Sequence, residues 1–454
     1  MYVIGFSCVC ILLVIYYLKV KFNADEFDVK DKYLPIIGHL CLFLNNRNEN
    51  LKLFHLQYGN CFNLYLFNQR IRFLLDPKDW LNVNRNRSFV FLGETFSRRI
   101  FDMTHNFFGQ AQLDHELQSF WNLFLKNSNE LNLLNDKLNQ QLQSYLRAKR
   151  SQLNQCGVEM NFFDFLYDLL FYSIGRTFYG EIELNEIRNE FRWFDYHIQY
   201  LFLLFPSLIY EMFFSRLFTC RNLLNKFWLK HVHSPNESHL VNQRTDFILN
   251  HRNYFSDKDY SGEKTFLLWS SISNTIPTLF WSLIHIFKEK NLFELISNEI
   301  ERNSSVHLDS IIDEVLRLYS NPMIMRKAIR DFQFKLNDGR TIEIKQNDIT
   351  AFYPHIAQTN HNYFTNPNQF QFDRFTNGKA EQVVGYLPFG AGKSMCPGRL
   401  FAKNAIKLTI IHLIQHLQIH RDEFQRFSIE ENPKRQGIGV SHPQRDFLFT
   451  LQFK

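Results

Sequence analysis

The sequence predicts a mainly α-helical protein with small β-sheets. Apolar residues recur at helical spacing through most of the chain beyond residue 101, whereas short strand-like runs are confined to a few segments. The chain has 454 residues, of which 45% are hydrophobic. That content is enough for a large buried core, and it excludes a disordered scaffold.

The first predicted element is a membrane anchor over residues 1–18. This segment has no charged residue and is followed by Lys19 and Lys21. Eighteen helical residues rise about 27 Å, which is close to the thickness of a bilayer core. A cleavable signal peptide is the alternative, but the segment lacks a basic start and a small-residue cleavage site. The positive flank predicts that the rest of the chain is cytosolic, with a linker over 19–32 and a globular body over 33–454.

The body begins with strands and continues mostly as helices. Apolar runs at 61–67 and 71–75 predict strands, and Asn337-Asp338-Gly339 predicts a tight turn inside a hairpin over 332–344. Alternation at 447–453 predicts a terminal strand. The predicted helices are 166–179, 266–287, 292–300, 311–319 and 400–419.

Composition and charge exclude several functional classes. Only 17 residues are glycine, and the chain contains neither a P-loop nor a strand-linked GxGxxG. The net charge of +6 comes from basic residues spread along the chain without a run, which argues against a nucleic-acid partner. The seven cysteines include no CxxC pair, so neither a zinc site nor a disulfide framework is predicted.

One cysteine has a distinctive setting. The segment Pro388-Phe-Gly-Ala-Gly-Lys-Ser-Met-Cys396-Pro-Gly-Arg399 places Cys396 in a glycine-containing loop directly before a long predicted helix. A helix N-terminus stabilises negative charge, so we expect Cys396 to be a thiolate. A thiolate is a haem-iron ligand that favours cleavage of the O–O bond. The structural alternative is a buried free cysteine.

This segment resembles the haem-binding loop of the cytochrome P450 superfamily, F-x-x-G-x-(basic)-x-C-x-G. Phe389, Gly392, Cys396 and Gly398 match the pattern, whereas Ser394 stands at the basic position. The resemblance implies a helical haem-binding domain with an N-terminal β-rich part. It also implies haem b with Cys396 as the axial iron ligand, O2 as co-substrate, and electrons from NADPH through NADPH-cytochrome P450 reductase.

Two further segments resemble the same family. Glu314 and Arg317 lie three residues apart on a predicted helix, so they share a face. In the family an E-x-x-R pair is joined by a further arginine, which implies that Arg374 completes a buried cluster behind the cysteine loop. Arg326 stands at a position that contacts a haem propionate in the family; a solvated arginine is the alternative.

The family's oxygen-binding helix resembles the segment around Thr275. Thr275 matches the family threonine, but Asn274 replaces the acid and Ile272 replaces a glycine. Pro277 has no N–H, so it frees the carbonyl of Ser273 and predicts a kink. Asn274 cannot donate a proton as a carboxylic acid does. Proton delivery through Thr275 and ordered water is therefore the hypothesis, and a helix with a polar pair is the alternative.

The Asn-Thr-x-Pro motif resembles one branch of the superfamily, which contains cholesterol 7α-hydroxylase, sterol 12α-hydroxylase, oxysterol 7α-hydroxylase and prostacyclin synthase. The resemblance implies a monooxygenase that hydroxylates an apolar sterol or lipid, anchored in the endoplasmic reticulum membrane by one span and in contact with membrane lipid. Two alternatives remain: a lipid endoperoxide isomerase, and a non-catalytic haem- or sterol-binding protein.

A basic stripe is predicted on the helix after Cys396. Arg399, Lys403 and Lys407 recur every four residues and therefore share one helix face. Such a face is expected either to dock an acidic electron-donor flavoprotein or to be simply solvated.

Overall fold

The protein is described here from a computed structural model. The described residues are 27–29, 38–41, 46–66, 69–92, 95–104, 112–152, 157–202, 213–392 and 395–454. The predicted anchor and most of the predicted linker lie outside these ranges. Within the described ranges, no helix combines the length and apolarity that a bilayer crossing requires.

Helices make up most of the described chain. Their bounds are α1 Arg47–Tyr58, α2 Pro77–Arg85, α3 Gln112–Leu125, α4 Ser128–Gln152, α5 Phe162–Tyr179, α6 Arg188–His197, α7 Gln199–Phe202, α8 Ser215–Lys230, α9 His239–Asn250, α10 Asp257–Ile272, α11 Thr275–Lys288, α12 Lys290–Glu301, α13 Val306–Tyr319, α14 Pro354–Gln358, α15 Arg399–His416 and α16 Arg421–Gln425. The prediction of a mainly helical protein is confirmed.

The strands are short and form small sheets. Their bounds are β1 Cys61–Leu66, β2 Gln69–Leu74, β3 Phe89–Phe91, β4 Val158–Asn161, β5 Ile324–Ala328, β6 Phe332–Lys335, β7 Thr341–Ile344, β8 Ile349–Phe352 and β9 Leu448–Leu451. The predicted hairpin is confirmed as β6 and β7, which pair antiparallel around a turn where Gly339 has a φ of 92°. The predicted terminal strand is β9, which pairs with β4.

The largest sheet joins distant parts of the chain. Its strand order is β1-β2-β8-β5-β3, with β2 and β8 parallel and the other pairs antiparallel. The β-rich part that was expected at the N-terminus therefore also includes two strands from residues 324–352. Parallel strands need a crossover connection, and here most of the helices lie between β2 and β8.

Helix α5 lies at the centre of the apolar core. Of its 18 residues, 14 are buried, as expected for a helix that is apolar on nearly every side. Its first turn is capped from the C-terminal region, because the Asp446 carboxylate accepts hydrogen bonds from the N–H groups of Phe163 (2.8 Å) and Asp164 (3.0 Å). This contact fixes the chain before β9 against the core.

The run predicted as one helix over 266–287 is interrupted. Helix α10 ends at Ile272, and α11 begins at Thr275. Pro277, two residues after the start of α11, explains the interruption because it cannot donate to the Ser273 carbonyl. Trp269, Asn274 and Thr275 therefore lie at or beside a bend in the backbone.

Asp79 on α2 should make folding stability depend on pH. Its carboxylate is 3% exposed and accepts a hydrogen bond from the N–H of Asn337 (2.6 Å), and burial raises its pKa from 3.8 to about 6. Because the folded state has the higher pKa, the carboxyl lowers stability as pH rises from about 4 through about 6. We expect Asp79→Asn to raise the free energy of unfolding at pH 7.5 by about 1–3 kcal/mol, and to have little effect at pH 4.

Asp338 offers the matched control on the facing hairpin. The adjacent Arg340 donates hydrogen bonds to it and holds its pKa below the ordinary value. Asp338→Asn should therefore not stabilise the protein at pH 7.5. Urea unfolding of the three proteins at both pH values measures the difference, and an Asp79→Asn effect that is equal at both pH values would contradict the assignment.

Candidate functional site

A cavity of about 370 Å³ lies between the interrupted helix and the cysteine loop. Its size falls within the range of small-molecule sites, about 300–1,000 Å³. Residues of α10 and α11 and the segments 388–390 and 396–398 belong to its lining. Residues 323–326 and 437–440 also contribute to it. Cys396 and Thr275 therefore face the same space.

The cysteine loop is shaped by backbone hydrogen bonds. The N–H of Cys396 donates to the carbonyl of Phe389 (2.9 Å), and Gly390 and Gly392 have φ values of 71° and 63°. These positive angles favour glycine, which accounts for the glycine-containing sequence of the loop. The loop ends at Gly398, the residue before α15. This geometry presents Cys396 at the N-terminal end of a long helix.

The thiol of Cys396 is not held as a thiolate by the helix end alone. Burial raises the pKa of this thiol, whereas hydrogen bonds from the backbone of Gly398 and Arg399 and the charge of Arg399 lower it. Burial is the largest of these effects, so the thiol has a raised pKa in the absence of a metal. The thiolate form of the haem-bound protein stays a prediction. The backbone donors still point at the sulfur, where they stabilise negative charge once a metal replaces the proton.

Other residues of the predicted loop motif differ in their placement. Phe389 and Gly398 line the cavity together with Cys396. Gly392 packs instead against Asn84 of α2, where an added Cβ would lie 3.2 Å from the Asn84 Cβ. Lys393 and Ser394 lie outside the described residues.

Arg326 is a buried cation on the cavity wall. It is 4% exposed, and its guanidinium donates to Asn84 Oδ1 (3.0 Å) and to its neighbour's carbonyl, that of Met325 (2.9 Å). No carboxylate of the described chain forms an ion pair with it. Burial lowers its pKa to about 10. A buried charge without a counter-ion is costly, so this position suits an anionic group of a bound molecule.

Glu314, Arg317 and Arg374 form one buried cluster outside the cavity. Arg317 Nε and Nη2 donate to Glu314 at 2.7 Å and 2.8 Å, and Arg374 Nε donates to it at 2.9 Å. Glu314 and Arg317 are fully buried. The N–H of Gln371 adds a fourth hydrogen bond to the carboxylate at 3.0 Å. The structure thus brings together the three residues that the sequence singled out.

Gln358 connects this cluster to the cysteine loop, and the sequence carried no signal for it. Its carbonyl accepts from Arg317 Nη1 (2.6 Å), and its side-chain amide donates to the carbonyls of Arg317 and Ser320. Its Oε1 accepts from the N–H of Leu387 (3.2 Å), one residue before the loop. The buried side chain of Gln358 therefore fixes the start of the loop relative to the cluster.

Asn274 and Thr275 face the cavity, but both side chains also bond to protein groups. Thr275 Oγ1 donates to the carbonyl of Ser271 (2.6 Å). Asn274 Oδ1 accepts from the N–H of Val440 (2.9 Å), and a Cβ at Gly439 would collide with it. Asn274 thus tethers the interrupted helix to residues 437–440, a contact that the sequence did not predict.

The predicted basic stripe is largely neutralised. Lys403 forms an ion pair with Asp313 (2.8 Å), and Lys407 forms one with Asp309 (2.6 Å). Both partners lie on α13, so these cations connect two helices. The acids opposite these lysines were not predicted from the sequence, and the docking of an electron-donor flavoprotein on this face stays a prediction.

The site therefore combines a partly buried cysteine with an interrupted helix around an apolar cavity, and among the described residues Arg326 is a buried cation in its lining without a carboxylate partner. This combination fits a thiolate-ligated haem protein. A sequence model of the family Cytochrome P450 matches residues 30–449. This match covers nearly the whole chain, so the chain belongs to the cytochrome P450 family. Membership implies a haem, O2 and electrons from a redox partner.

Similar proteins are sterol-related members of the family. The chain is 25% identical to mouse (Mus musculus) cytochrome P450 7B1, over 93% of this chain and 90% of that protein. It is 24% identical to human (Homo sapiens) 7-alpha-hydroxycholest-4-en-3-one 12-alpha-hydroxylase, over 92% and 91%. It is 25% identical to hamster (Cricetulus griseus) cholesterol 7-alpha-monooxygenase, over 98% and 97%.

The residues present fit a haem. Cys396 supplies a sulfur ligand with two backbone donors around it. Arg326 supplies a buried cation at the cavity wall, as a propionate requires. Phe389 and Phe401 contribute apolar surface to the same cavity.

Glu314→Gln should destabilise the protein strongly. The substitution keeps the size of the side chain but leaves two buried arginines without their carboxylate, a loss of about 3–5 kcal/mol. We expect a lower free energy of unfolding in urea and less protein with bound haem. Glu343→Gln is the control, because Glu343 and its partner Lys345 are both exposed and water weakens their ion pair. Equal stability of the two variants would contradict the role of the cluster.

Arg326→Gln should affect the haem-bound and haem-free proteins differently. We expect haem transfer to apomyoglobin to become about tenfold faster, because a charge-assisted hydrogen bond is lost. The haem-free variant should be at least as stable as the haem-free parent, because a desolvated cation has been removed. Arg330→Gln, at an exposed arginine that donates to Ser88 Oγ, is the control. Unchanged haem transfer would argue against propionate contact.

Proposed function

We propose that the protein is a haem-thiolate monooxygenase that hydroxylates a sterol or another apolar lipid. The observation that carries this proposal is that Cys396 and Thr275 both line one apolar cavity. The sterol hydroxylases among its relatives support the substrate class, at identities of about 25%. Bound to Cys396, haem b supplies the oxygen-activating chemistry, with O2 and NADPH-derived electrons.

The chain's own groups have distinct roles in this proposal. Cys396 would hold the haem iron, and the N–H groups of Gly398 and Arg399 would stabilise its thiolate. Arg326 would bind a propionate. Thr275 would deliver protons through ordered water, while Asn274 holds the helix to Val440 and would take no part as an acid.

The lining of the cavity supports an apolar substrate. Away from Cys396, the wall includes Phe91, Leu92, Phe266 and Trp269, and also Ile438 from the C-terminal segment. Ser270, Ser271, Asn274 and Thr275 are among the polar residues that reach it. Such a surface favours a large apolar body with few polar groups, as in a sterol.

The partners and the location belong to the same proposal. Electrons come from NADPH-cytochrome P450 reductase. The apolar segment 1–18 anchors the chain in the endoplasmic reticulum membrane, where lipid substrates concentrate, with the catalytic domain on the cytosolic side.

Spectroscopy and turnover test the proposal together. We expect the reduced, carbon-monoxide-bound protein to show the red-shifted Soret band of thiolate ligation, and Cys396→Ser to lose it. Reconstituted with the reductase and NADPH, the protein should hydroxylate cholesterol, 25-hydroxycholesterol or 7α-hydroxycholest-4-en-3-one, as analysed by mass spectrometry. Thr275→Ala should keep the band but release more peroxide per NADPH.

The alternatives correspond to different outcomes. Consumption of a lipid endoperoxide without NADPH would indicate an isomerase. Sterol-induced spectral changes without NADPH oxidation would indicate a binding protein. Well-folded protein without bound haem would refute the haem site, and unchanged coupling in Thr275→Ala would refute the role of that hydroxyl.

A further inference from the structure

Asp195 of α6 is a buried carboxylate that contacts the last turn of α10. It is 2% exposed, and its Oδ1 accepts hydrogen bonds from Trp269 Nε1 (3.0 Å) and Ser273 Oγ (2.7 Å). Trp269 and Ser273 are one turn apart, at the end of α10. Hydrogen bonds to an ionised acceptor are stronger than neutral ones. One carboxylate therefore fastens α6 to the last turn before the helix interruption.

The same carboxylate is connected to the C-terminal segment. Arg435 Nη2 lies 3.8 Å from Asp195 Oδ1, and Arg435 Nη1 donates to the carbonyl of Tyr196 (2.9 Å). Arg435 Nη2 also lies 3.0 Å from His442 Nε2. Because arginine only donates, His442 Nε2 must be the acceptor, and the ring proton of a neutral His442 is on Nδ1. Burial keeps the pKa of His442 well below its usual range, so the ring is neutral.

Asp195 thus connects Ser273, at the end of α10, to Arg435, and Arg435 contacts His442. Asp195, Ser273, Arg435 and His442 therefore form one connected polar network, here called the distal network. All four residues are buried.

The distal network lies next to residues that line the cavity. Ser273 immediately precedes Asn274 and Thr275, and Trp269 is part of the cavity wall. Asp195 holds Ser273, at one end of the interruption, while the contact with Val440 holds the adjacent residue Asn274. Loss of the Asp195 carboxylate frees the Trp269 N–H, and the indole can then turn toward the cavity.

We propose that Asp195 is a positioning residue for the distal side of the haem, because it fixes both the Trp269 indole at the cavity wall and the helix interruption before Thr275. This inference rests on the haem position proposed above, but not on the sterol substrate. Asp195 acts through Trp269 and Ser273, and it does not line the cavity that contains Cys396.

A second cavity beside Asp195 allows this residue to be replaced without preventing folding. It has a volume of about 200 Å³ and is lined by Asp195, His442, Tyr167 and Arg192, among other residues. Polar side chains and sufficient room allow such a cavity to hold water. Water can therefore replace the missing carboxylate oxygens, so we expect Asp195→Ala to fold.

Imidazole is the probe, because it binds haem iron from the distal side and gives a spectral dissociation constant without turnover. We expect Asp195→Ala to bind imidazole about tenfold more weakly, because the released indole narrows the cavity. Asp195→Asn retains an acceptor oxygen and should stay within about threefold of the parent. Asp164→Asn is the matched control, since Asp164 also lines the second cavity but pairs with the partly exposed Arg192 instead of with the end of α10.

Trp269→Phe provides an independent arm that keeps an aromatic ring but removes the N–H. It should weaken imidazole binding, and adding Asp195→Ala to it should cause less further loss than in the parent. The inference is overturned if Asp195→Ala and Trp269→Phe both bind imidazole as the parent does, or if Asp164→Asn weakens binding as much as Asp195→Ala. A parent protein without the thiolate Soret band would instead overturn the haem site, and this inference with it.

Discussion

One fully buried carboxylate, Glu314, is the constraint on which the position of the cysteine loop depends. Burying a charge is tolerable only when its partners are in place, so Arg317 and Arg374 must both reach it. Arg374 comes from a segment about 60 residues later. When it docks, Gln358 is fixed against Arg317, and the chain before the cysteine loop is fixed against Gln358. The cluster thus determines the site without touching the cavity.

The interrupted helix is built on a different principle. Here Pro277 interrupts the regular helical hydrogen bonding. Residues from other parts of the chain form hydrogen bonds with the side chains beside the interruption. The C-terminal segment supplies the Val440 N–H to Asn274, and Asp195 of α6 accepts a hydrogen bond from the Ser273 hydroxyl. The cysteine loop therefore depends on the buried ion pairs of Glu314. The interrupted helix depends on contacts with residues that are distant in the sequence. Both require contacts between parts of the chain that are far apart in sequence.

That separation explains what could be predicted from the sequence. The helices, the hairpin around Gly339 and the break near Pro277 follow from local patterns, and Cys396, Glu314 and Arg317 stand in short motifs. Asp195 and Arg435 carry no such pattern, because their contact spans 240 residues and depends on how α6 packs. The acids that pair with Lys403 and Lys407 were not predicted for the same reason, since the sequence of a helix face shows its own charges but not the acids of the helix opposite it.

The order of strands in the largest sheet has a consequence for biosynthesis. Strand β2 cannot form its parallel pairing with β8 until β8 has been synthesised. The Arg70–Asp348 ion pair beside these strands joins residues 278 positions apart. At about 5–20 residues per second, a ribosome needs roughly 14–56 s to make the intervening chain. During that interval the edge of β2 that later pairs with β8 has no partner, and unpaired strand edges promote aggregation. The nascent chain is therefore expected to need a chaperone during this interval, well before any haem can bind.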